Sequence, residues 1–288
     1  MKTKAPTIKD LRISFEFFPP RTNSGMEKLA LVADKLAVTK PEFFSCTYGA
    51  GGSTKKGTKD TVAYLSQKGF IVSPHLSIGA DGKTAIEGIL DEYQAGGINR
   101  IVALRGDLPS GIGRNRFAHN AETLVNWIRE HSDSHFHIEV GAYPETHPDS
   151  KSANEDLQFF KKKIEAGANS AITQYFYSPH AYFDFLERCY AEGIDIPIYP
   201  GIMPITNYEG IIKFSDSCGA DVPRWIRKRL EDYADDQESL TKFGTEVVTK
   251  ICDDLITGGA PGLHFYTLNR SVASLAILAN LKLAPILN

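Results

Sequence analysis

Short apolar runs alternate with amphipathic stretches along the whole chain. The apolar runs have the length of buried strands, and in the stretches between them apolar residues recur at helical spacing. The predicted strands, each followed by a predicted helix, are 12–18, 43–48, 70–76, 99–105, 137–143, 170–176, 196–202 and 263–267. Several of the predicted helices end in glycine, which can adopt the left-handed conformation that turns a chain back into a sheet.

Eight such units in one uninterrupted series predict an α/β protein that forms a single (β/α)8 TIM barrel, with residues 1–288 as one catalytic domain. The long segment before the last strand holds an extra predicted helix near 223–230 and then a polar helix over 236–257. An open doubly wound sheet is the alternative. The first strand-to-helix turn, Pro19-Pro20-Arg21-Thr22, lacks the GxGxxG loop of dinucleotide-binding open sheets, which favours the barrel.

Composition excludes several classes of protein. The chain is 42% apolar and 10% aromatic with a net charge of −3, so we expect no nucleic-acid partner. No run approaches the roughly 18 apolar residues of a membrane span, and the first residues lack the apolar stretch of a signal peptide, so we expect a cytoplasmic protein without membrane contact. The four cysteines are far apart and form no CxxC pair, which argues against a disulfide framework and a thiolate zinc site.

Polar residues follow nearly every predicted strand. Barrel enzymes place their chemistry at the carboxyl ends of the strands, so these residues are the candidates for a site. They are Glu16, Thr47, His75, Arg105, Gly106, Asp107, Tyr143, His147, Gln174, Tyr266 and Arg270.

Glu16 lies between phenylalanines near the end of the first strand. Ser14, Glu16 and Phe18 share one face of that strand, so Glu16 points inward or toward a ligand. A carboxyl removed from water is suited to deliver a proton, although a glutamate that faces water is an equally open interpretation of this segment. A lone strand histidine such as His75 is more typical of a core residue. The segment 105–107 fits either a ligand cradle or an ion pair that closes the barrel rim.

Three kinds of site are disfavoured by missing residues. There is no HxH or HExxH pair and no acid cluster for a hard cation, so we expect no metal. The predicted strands contain no lysine for a Schiff base, and a GxSxG nucleophile turn is missing. What remains is a pocket of aromatics, amides, acids and two histidines, which suits a large conjugated ligand.

Ordered motifs carry a resemblance over essentially the whole chain. They are Ser14-Phe15-Glu16-Phe17-Phe18-Pro19-Pro20, Thr47-Tyr48-Gly49-Ala50, Pro74-His75-Leu76, Ala103-Leu104-Arg105-Gly106-Asp107-Leu108-Pro109, Ala142-Tyr143-Pro144-Glu145, Ala171-Ile172-Thr173-Gln174, Pro200-Gly201-Ile202 and His264-Phe265-Tyr266-Thr267-Leu268-Asn269-Arg270. With these motifs the chain resembles the flavin-dependent methylenetetrahydrofolate reductases of bacteria. The resemblance implies a barrel with non-covalent FAD, commonly assembled as a homo-oligomer.

The resemblance also implies a ping-pong reaction. NADH or NADPH reduces the flavin and leaves, and 5,10-methylenetetrahydrofolate then accepts hydride to become 5-methyltetrahydrofolate, the methyl donor for methionine synthesis. Glu16 is expected to be the general acid and Asp107 to stabilise the cation formed from the folate. The expected FAD contacts are Thr47, His75, Arg105, Gly106, Asp107, Ala121, Tyr143, His147, Asp156 and Lys163. The expected substrate contacts are Gln174, Phe214, Tyr266 and Arg270.

The sequence departs from the enterobacterial pattern in the loops 51–58 and 110–120, and it has Gly210 where those members have a substrate-contacting glutamine. We expect no regulatory domain after the eighth helix and no control by adenosylmethionine. Two other functions stay open: a flavin barrel that takes electrons from a partner protein, and a folate- or flavin-binding barrel without activity. The presence of Glu16, Asp107 and Gln174 argues against the inactive barrel. The preference between NADH and NADPH also stays open.

Overall fold

The computed structural model describes residues 11–48, 55–78, 82–106 and 120–285. These residues form nine strands and ten α-helices. The strands are β1 (Arg12–Phe17), β2 (Phe43–Cys46), β3 (Val72–Ser77), β4 (Arg100–Leu104), β5 (His137–Ala142), β6 (Ser170–Thr173), β7 (Ile198–Tyr199), β8 (Gly201–Ile202) and β9 (Gly262–Tyr266). The helices are α1 (Asn23–Leu36), α2 (Lys55–Gln67), α3 (Lys83–Ala95), α4 (Ala121–Ser132), α5 (Ala153–Glu165), α6 (Pro179–Ala191), α7 (Tyr208–Cys218), α8 (Arg224–Asp232), α9 (Gln237–Thr257) and α10 (Val272–Asn280).

The strands form a parallel barrel that closes through the predicted seventh strand. That strand is interrupted at Pro200, which has no N–H for a sheet hydrogen bond. On one side of the break β7 pairs with β6, and on the other side β8 pairs with β9. Because β9 also pairs with β1, the sheet returns to its first strand. The predicted (β/α)8 barrel is therefore confirmed, with nine short strands at eight positions.

The connections follow the predicted order of units. Three helices, α7, α8 and α9, separate β8 from β9, which confirms the extra helix before the last strand. The glycines that end five of the helices have positive φ, as the turns back into the sheet require; they are Gly69, Gly97, Gly167, Gly193 and Gly259. Within the described ranges, no helix is both long enough and apolar enough to span a bilayer.

Two apolar layers hold the barrel together. The larger lies between strands and helices, where Phe15, Phe17 and Phe44 are fully buried and their rings stack with centroids 5.2–5.9 Å apart. The smaller lies inside the barrel and consists of Phe43, Val102 and Ile172. As the alternation along β1 predicts, its phenylalanines at 15 and 17 face the helices. The other face of the strand is therefore left for polar side chains.

Polar groups occupy much of the barrel interior. The buried polar residues on the strands are Ser14, Ser45, Ser73, His75, Ser77, Glu139, Ser170, Thr173 and His264. A buried polar group is costly unless it is hydrogen-bonded, so each such residue needs a partner in the protein or in a ligand. The two ends of the barrel meet this need differently.

Candidate active site

A cavity of about 440 Å³ opens at the carboxyl ends of the strands. We call it the Glu16 cavity. Its polar lining includes Glu16, Thr47, His75 and Gln174, and its apolar lining includes Phe18, Met203, Phe214, Tyr266 and Leu268. The fold thus brings residues from β1, β6 and β9 and from the ends of β2 and β3 to one space, as expected for a barrel of this kind.

A second cavity, of about 340 Å³, lies beside the first, between the ends of β4 and β5 and helices α4 and α5. We call it the Lys163 cavity. It is lined by the predicted cofactor residues Arg105, Ala121, Tyr143, His147, Asp156 and Lys163. The two cavities share Leu104, Gly141 and Tyr143 in their walls, so they lie side by side, and we call the pair the cleft.

Glu16 faces the cleft and not the bulk solvent, with 19% of its side chain exposed. Its Oε2 lies 3.3 Å from Nε2 of His75 and 3.8 Å from Nε2 of His264. Neither of these two nitrogens makes a hydrogen bond within the described part of the chain. Burial lowers the pKa of His75, and the nearby Glu16 only partly opposes this effect, so the imidazole is neutral near pH 7.

The position of His264 is fixed from the adjacent strand. Its Nδ1 lies 2.7 Å from the hydroxyl of Ser14, in a hydrogen bond between two buried groups. Ser14 and His264 are paired in the register of β1 and β9, and Glu16 is paired with Tyr266 two residues further along. The sequence motifs contain Ser14 and His264, but their contact depends on this register, which the residue pattern alone does not specify.

The Lys163 cavity has a charged wall. Nζ of Lys163 donates to the carbonyl of Gly141, and burial lowers the pKa of Lys163 to about 8, although Asp156 raises it. The Asp156 carboxylate accepts hydrogen bonds from the backbone N–H of His147 at 3.0 Å and from the Ser150 hydroxyl at 3.1 Å. It therefore orders the loop that follows β5.

Arg105 supplies a second cation to this wall and forms an ion pair with Asp149 at 2.9 Å. The ring of Tyr143 meets that of His147 edge-on, with centroids 4.5 Å apart. Burial lowers the pKa of His147, and the charge of Arg105 lowers it further. Two cations and two flat rings therefore border the space in which the cofactor was expected.

The predicted substrate residues lie at different depths. Gln174 lines the Glu16 cavity and its Oε1 accepts from the backbone N–H of Tyr175 at 3.0 Å, which leaves its amide N–H groups for a ligand. Phe214, on α7, is about half exposed at the mouth. The Tyr266 hydroxyl donates to the carbonyl of Thr173 at 2.7 Å, and burial raises the pKa of Tyr266 well above its usual range. Tyr266 therefore offers its ring to the cavity.

Three predicted site residues either line neither cavity or lie outside the described residues. Arg270 is exposed in the turn after β9 and lines neither cavity. Gly106 ends the described part of its loop with a φ of 85°, a conformation that favours glycine. Asp107 lies outside the described residues, as do residues 51–54 of the 51–58 loop and residues 110–119 of the 110–120 loop. The role of Asp107 stays a prediction.

No group of three His, Cys, Asp or Glu side chains suited to a metal ion occurs among the residues described. Tyr48, which follows Thr47 at the end of the predicted second strand, lines the Glu16 cavity as well. The site also contains residues for which no role was predicted. Tyr175, Met203, Cys218 and Leu268 line the Glu16 cavity, and Phe159 and Lys151 line the Lys163 cavity. They come from turns and helices whose direction relative to the strand ends cannot be inferred from apolar periodicity.

Comparison with known proteins gives one consistent family. The family model for methylenetetrahydrofolate reductase matches residues 2–282. The 5,10-methylenetetrahydrofolate reductase of Escherichia coli K12 is 38% identical over 276 residues, which cover 96% of this chain and 92% of the relative. The Pectobacterium carotovorum enzyme of the same name is 39% identical over 276 residues, covering 96% and 91%. An Arabidopsis thaliana relative named methylenetetrahydrofolate reductase (NADH) 1 is 36% identical, and the match covers 94% of this chain and 48% of that protein.

Solved structures agree in fold. A Clostridium thermocellum protein, described as binding two copies of 5-methyl-5,6,7,8-tetrahydrofolic acid, aligns with a TM-score of 0.66 and 16% identity, covering 94% of this chain and 93% of that one. At this identity the likeness concerns the barrel alone. The sequence matches are much stronger, and they confirm the resemblance read from the ordered motifs. The chain belongs to the methylenetetrahydrofolate reductase family.

Proposed function

We propose that this protein reduces 5,10-methylenetetrahydrofolate to 5-methyltetrahydrofolate, with FAD as its cofactor and NADH or NADPH as the electron donor. The observation that carries the proposal is a largely buried carboxyl, Glu16, that faces a cavity adjacent to a second, cation-lined cavity. The names of the relatives support the same reaction. The plant relatives are named for NADH, which supports a nicotinamide as donor.

The cleft fits FAD in its chemistry. A dinucleotide needs cations for its pyrophosphate and flat apolar walls for its rings, and the Lys163 and Glu16 cavities supply these side by side. Lys163 and Arg105 are the candidates for the pyrophosphate. Thr47 and His75 would contact the ring system, while Gly106, Ala121, Tyr143, His147 and Asp156 would line the remainder. When bound, FAD supplies the hydride-transfer chemistry that amino-acid side chains lack.

Glu16 would act as the general acid of the reaction. Opening the five-membered ring of the folate requires a proton on its departing amine nitrogen, and the carbon left behind then accepts the hydride as an iminium carbon. A positioned carboxyl that gives this proton is a general acid, worth about 10²–10⁴-fold in rate. Solvent then returns the proton to the carboxylate.

The other predicted residues bind and orient the substrate. The free amide N–H groups of Gln174 would hydrogen-bond the pterin, and the exposed ring of Phe214 would cover its face. Asp107 would stabilise the iminium through its negative charge. Arg270, exposed near the mouth, would meet the carboxylate tail of the folate or the phosphates of the nicotinamide.

Anaerobic spectroscopy tests the proposal. The purified protein is expected to carry FAD and to lose its yellow colour when NADH or NADPH is added, and the colour is expected to return with 5,10-methylenetetrahydrofolate as 5-methyltetrahydrofolate forms. A protein that binds FAD but is reduced by neither nicotinamide would instead take electrons from a partner protein. Folate binding without turnover would indicate the inactive barrel. The homo-oligomeric state and the cytoplasmic location stay predictions.

A further inference from the structure

The turn after β9 is joined to the end of β1 by side chains. The main-chain pairing of β1 with β9 ends at Glu16 and Tyr266. Beyond that point the chain of β9 turns away, and the side chains of Thr267 and Asn269 continue the pairing. The Thr267 hydroxyl donates to the Glu16 carbonyl at 2.6 Å.

The carboxamide of Asn269 makes two hydrogen bonds to the backbone of Phe18. Its Oδ1 accepts from the Phe18 N–H at 3.0 Å, and its Nδ2 donates to the Phe18 carbonyl at 2.9 Å. The backbone N–H of Asn269 donates to the Thr267 hydroxyl oxygen at 3.1 Å, so the Thr267 side chain also holds the backbone of Asn269 in place. We call this set of hydrogen bonds the Asn269 clamp. It imitates the ladder bonds of one more strand residue.

The clamp depends on an uncommon backbone conformation. Leu268 and Asn269 have φ values of 48° and 57°, so two consecutive residues other than glycine are left-handed. Asparagine tolerates this conformation well, whereas leucine does so rarely. Such strain persists only where surrounding contacts hold it, and here it turns the Leu268 side chain into the lining of the Glu16 cavity.

The opposite edge of this segment is already fixed by the sheet. The Phe17 carbonyl accepts from the backbone N–H of Thr47 at 2.9 Å, and Phe17 is paired with Cys46 of β2. Phe17 is thus held by β2, whereas Phe18 is held by the Asn269 clamp. Without the clamp, the backbone N–H and carbonyl of Phe18 would both lose their hydrogen bonds.

We propose that Asn269 is a positioning residue for proton delivery. It fixes the end of β1, and the Glu16 carboxyl is thereby held in one orientation in the cavity. This inference rests on the proposed role of Glu16 as the general acid. Asn269 itself lines neither cavity, so its effect passes through Phe18 and Glu16. A displacement of about 1 Å of a catalytic group can cost as much as about 10²-fold in rate.

Glycine at position 269 separates the clamp from the turn. Asn269→Gly removes both side-chain hydrogen bonds, while glycine adopts a positive φ without cost. Lys40→Gly is the matched control, because Lys40 has a φ of 52° at the end of a 3-10 helix before β2 and lines neither cavity. Asn269→Asp keeps the acceptor for the Phe18 N–H and loses the donor, and it carries the same test if Asn269→Gly does not accumulate as folded protein.

Two measurements on the FAD-loaded protein test the proposal. Hydrogen–deuterium exchange is expected to rise in the peptide containing Phe18 in Asn269→Gly and to be unchanged there in Lys40→Gly. In anaerobic stopped flow, reoxidation of the flavin by 5,10-methylenetetrahydrofolate is expected to slow about 10-fold, and reduction by NADH to stay within about 2-fold of wild type. Equal slowing of both half-reactions, or of neither, would overturn the proposal.

A double-mutant cycle distinguishes this inference from the proposed function. If Asn269 acts through Glu16, adding Asn269→Gly to Glu16→Gln changes the rate of reoxidation by less than about 2-fold. A further loss of about 10-fold in that background would show an independent role and overturn the inference. Unchanged reoxidation in Glu16→Gln alone would refute the acid role on which the inference rests, whatever the clamp does.

Discussion

The two ends of the barrel differ in how their charged side chains are paired. At the amino ends of the strands, Arg12, Glu42, Arg100 and Glu139 join in a continuous network of ion pairs. At the carboxyl ends, Glu16 lies beside two histidine nitrogens that make no hydrogen bond within the described residues. Paired charges suit a part of the molecule that holds the fold, although Oε2 of Glu139 makes no hydrogen bond among the described residues. A carboxyl beside two unpaired nitrogens in a cavity suits a part that awaits a ligand.

The network at the amino ends is compact. Arg100 contacts Glu139, binds Glu42 at 2.7 Å, and lies over the ring of Phe43 with its guanidinium 4.5 Å from the centroid. Arg12 reaches Glu42 at 3.1 Å. Glu139 is fully buried, and burial raises its pKa to about 8, although Arg100 acts in the opposite direction. The network links β1, β4, β5 and the residue before β2 at the amino end, or base, of the barrel.

The largest effect that separates the two ends is expected from one substitution made at each. Glu16→Gln should lower kcat/KM for the folate by about 10²–10⁴-fold, because the proton donor is lost, while the thermal midpoint stays near that of wild type. Glu42→Gln, the same change at the base, should lower the midpoint and leave kcat near the wild-type value. Steady-state assays and thermal unfolding measure both. A loss of activity in Glu42→Gln together with a lower midpoint in Glu16→Gln would contradict this difference between the two ends.

Removal of the central cation of the base should follow in size. Arg100→Met leaves Glu42 and Glu139 without their shared partner, and losing hydrogen bonds to a charged group in this way costs about 1.5–3 kcal/mol of unfolding free energy. Urea unfolding monitored by circular dichroism measures the loss. A cost near zero would mean that the network of ion pairs contributes little to the stability of the barrel.

At the other end, Lys163→Met should weaken FAD binding by about 1.5–3 kcal/mol, the range for hydrogen bonds to charged groups. Lys161→Met is the matched control, because Lys161 lies on the same helix and pairs with Glu192 outside the cavity. Since the pKa of Lys163 is about 8, affinity should also decline as the pH rises through 8 in wild type and not in Lys163→Met. Titration of the apoprotein by flavin fluorescence tests both, and equal effects of the two variants would argue against a cofactor contact.

A pH dependence of stability is also expected at the base. Because the folded pKa of Glu139 is about 8 against an ordinary 4.5, its favourable contribution is complete below pH 4.5 and is lost as the pH rises through 8. The stability of wild type relative to Glu139→Gln should therefore fall between pH 5 and 8, by at most about 1.4 kcal/mol per pH unit. Chemical unfolding across that range measures it. A difference that rises with pH would show that Arg100 outweighs burial.

Much of the fold could be predicted, because parallel strands covered by helices appear as apolar runs. The break at Pro200 was not predicted, since the run 196–202 is continuous in its apolar pattern and the change of partner from β6 to β9 is a tertiary feature. Helix α1 follows the first strand as predicted, and its cap is Thr22, whose hydroxyl accepts from the Gly25 N–H.

The site could be predicted where a residue stands at a strand end, as Glu16, His75 and Gln174 do. It could not be predicted where two strands must be brought into register, as for Ser14 and His264. The Asn269 clamp depends on two left-handed residues in a turn, for which apolar periodicity carries no signal. Motif order supplied residues such as Lys163, which lies on a helix face where a solvated lysine is the ordinary expectation.

The measurement that tests the central claim most directly is an anaerobic stopped-flow comparison of Glu16→Gln with wild type, following the flavin absorbance in each half-reaction. The account predicts that reduction by NADH stays within about 2-fold of wild type, while reoxidation by 5,10-methylenetetrahydrofolate slows by about 10²–10⁴-fold. Reoxidation at the wild-type rate would contradict it, because the carboxyl that faces the cavity would then not be the acid that opens the folate ring.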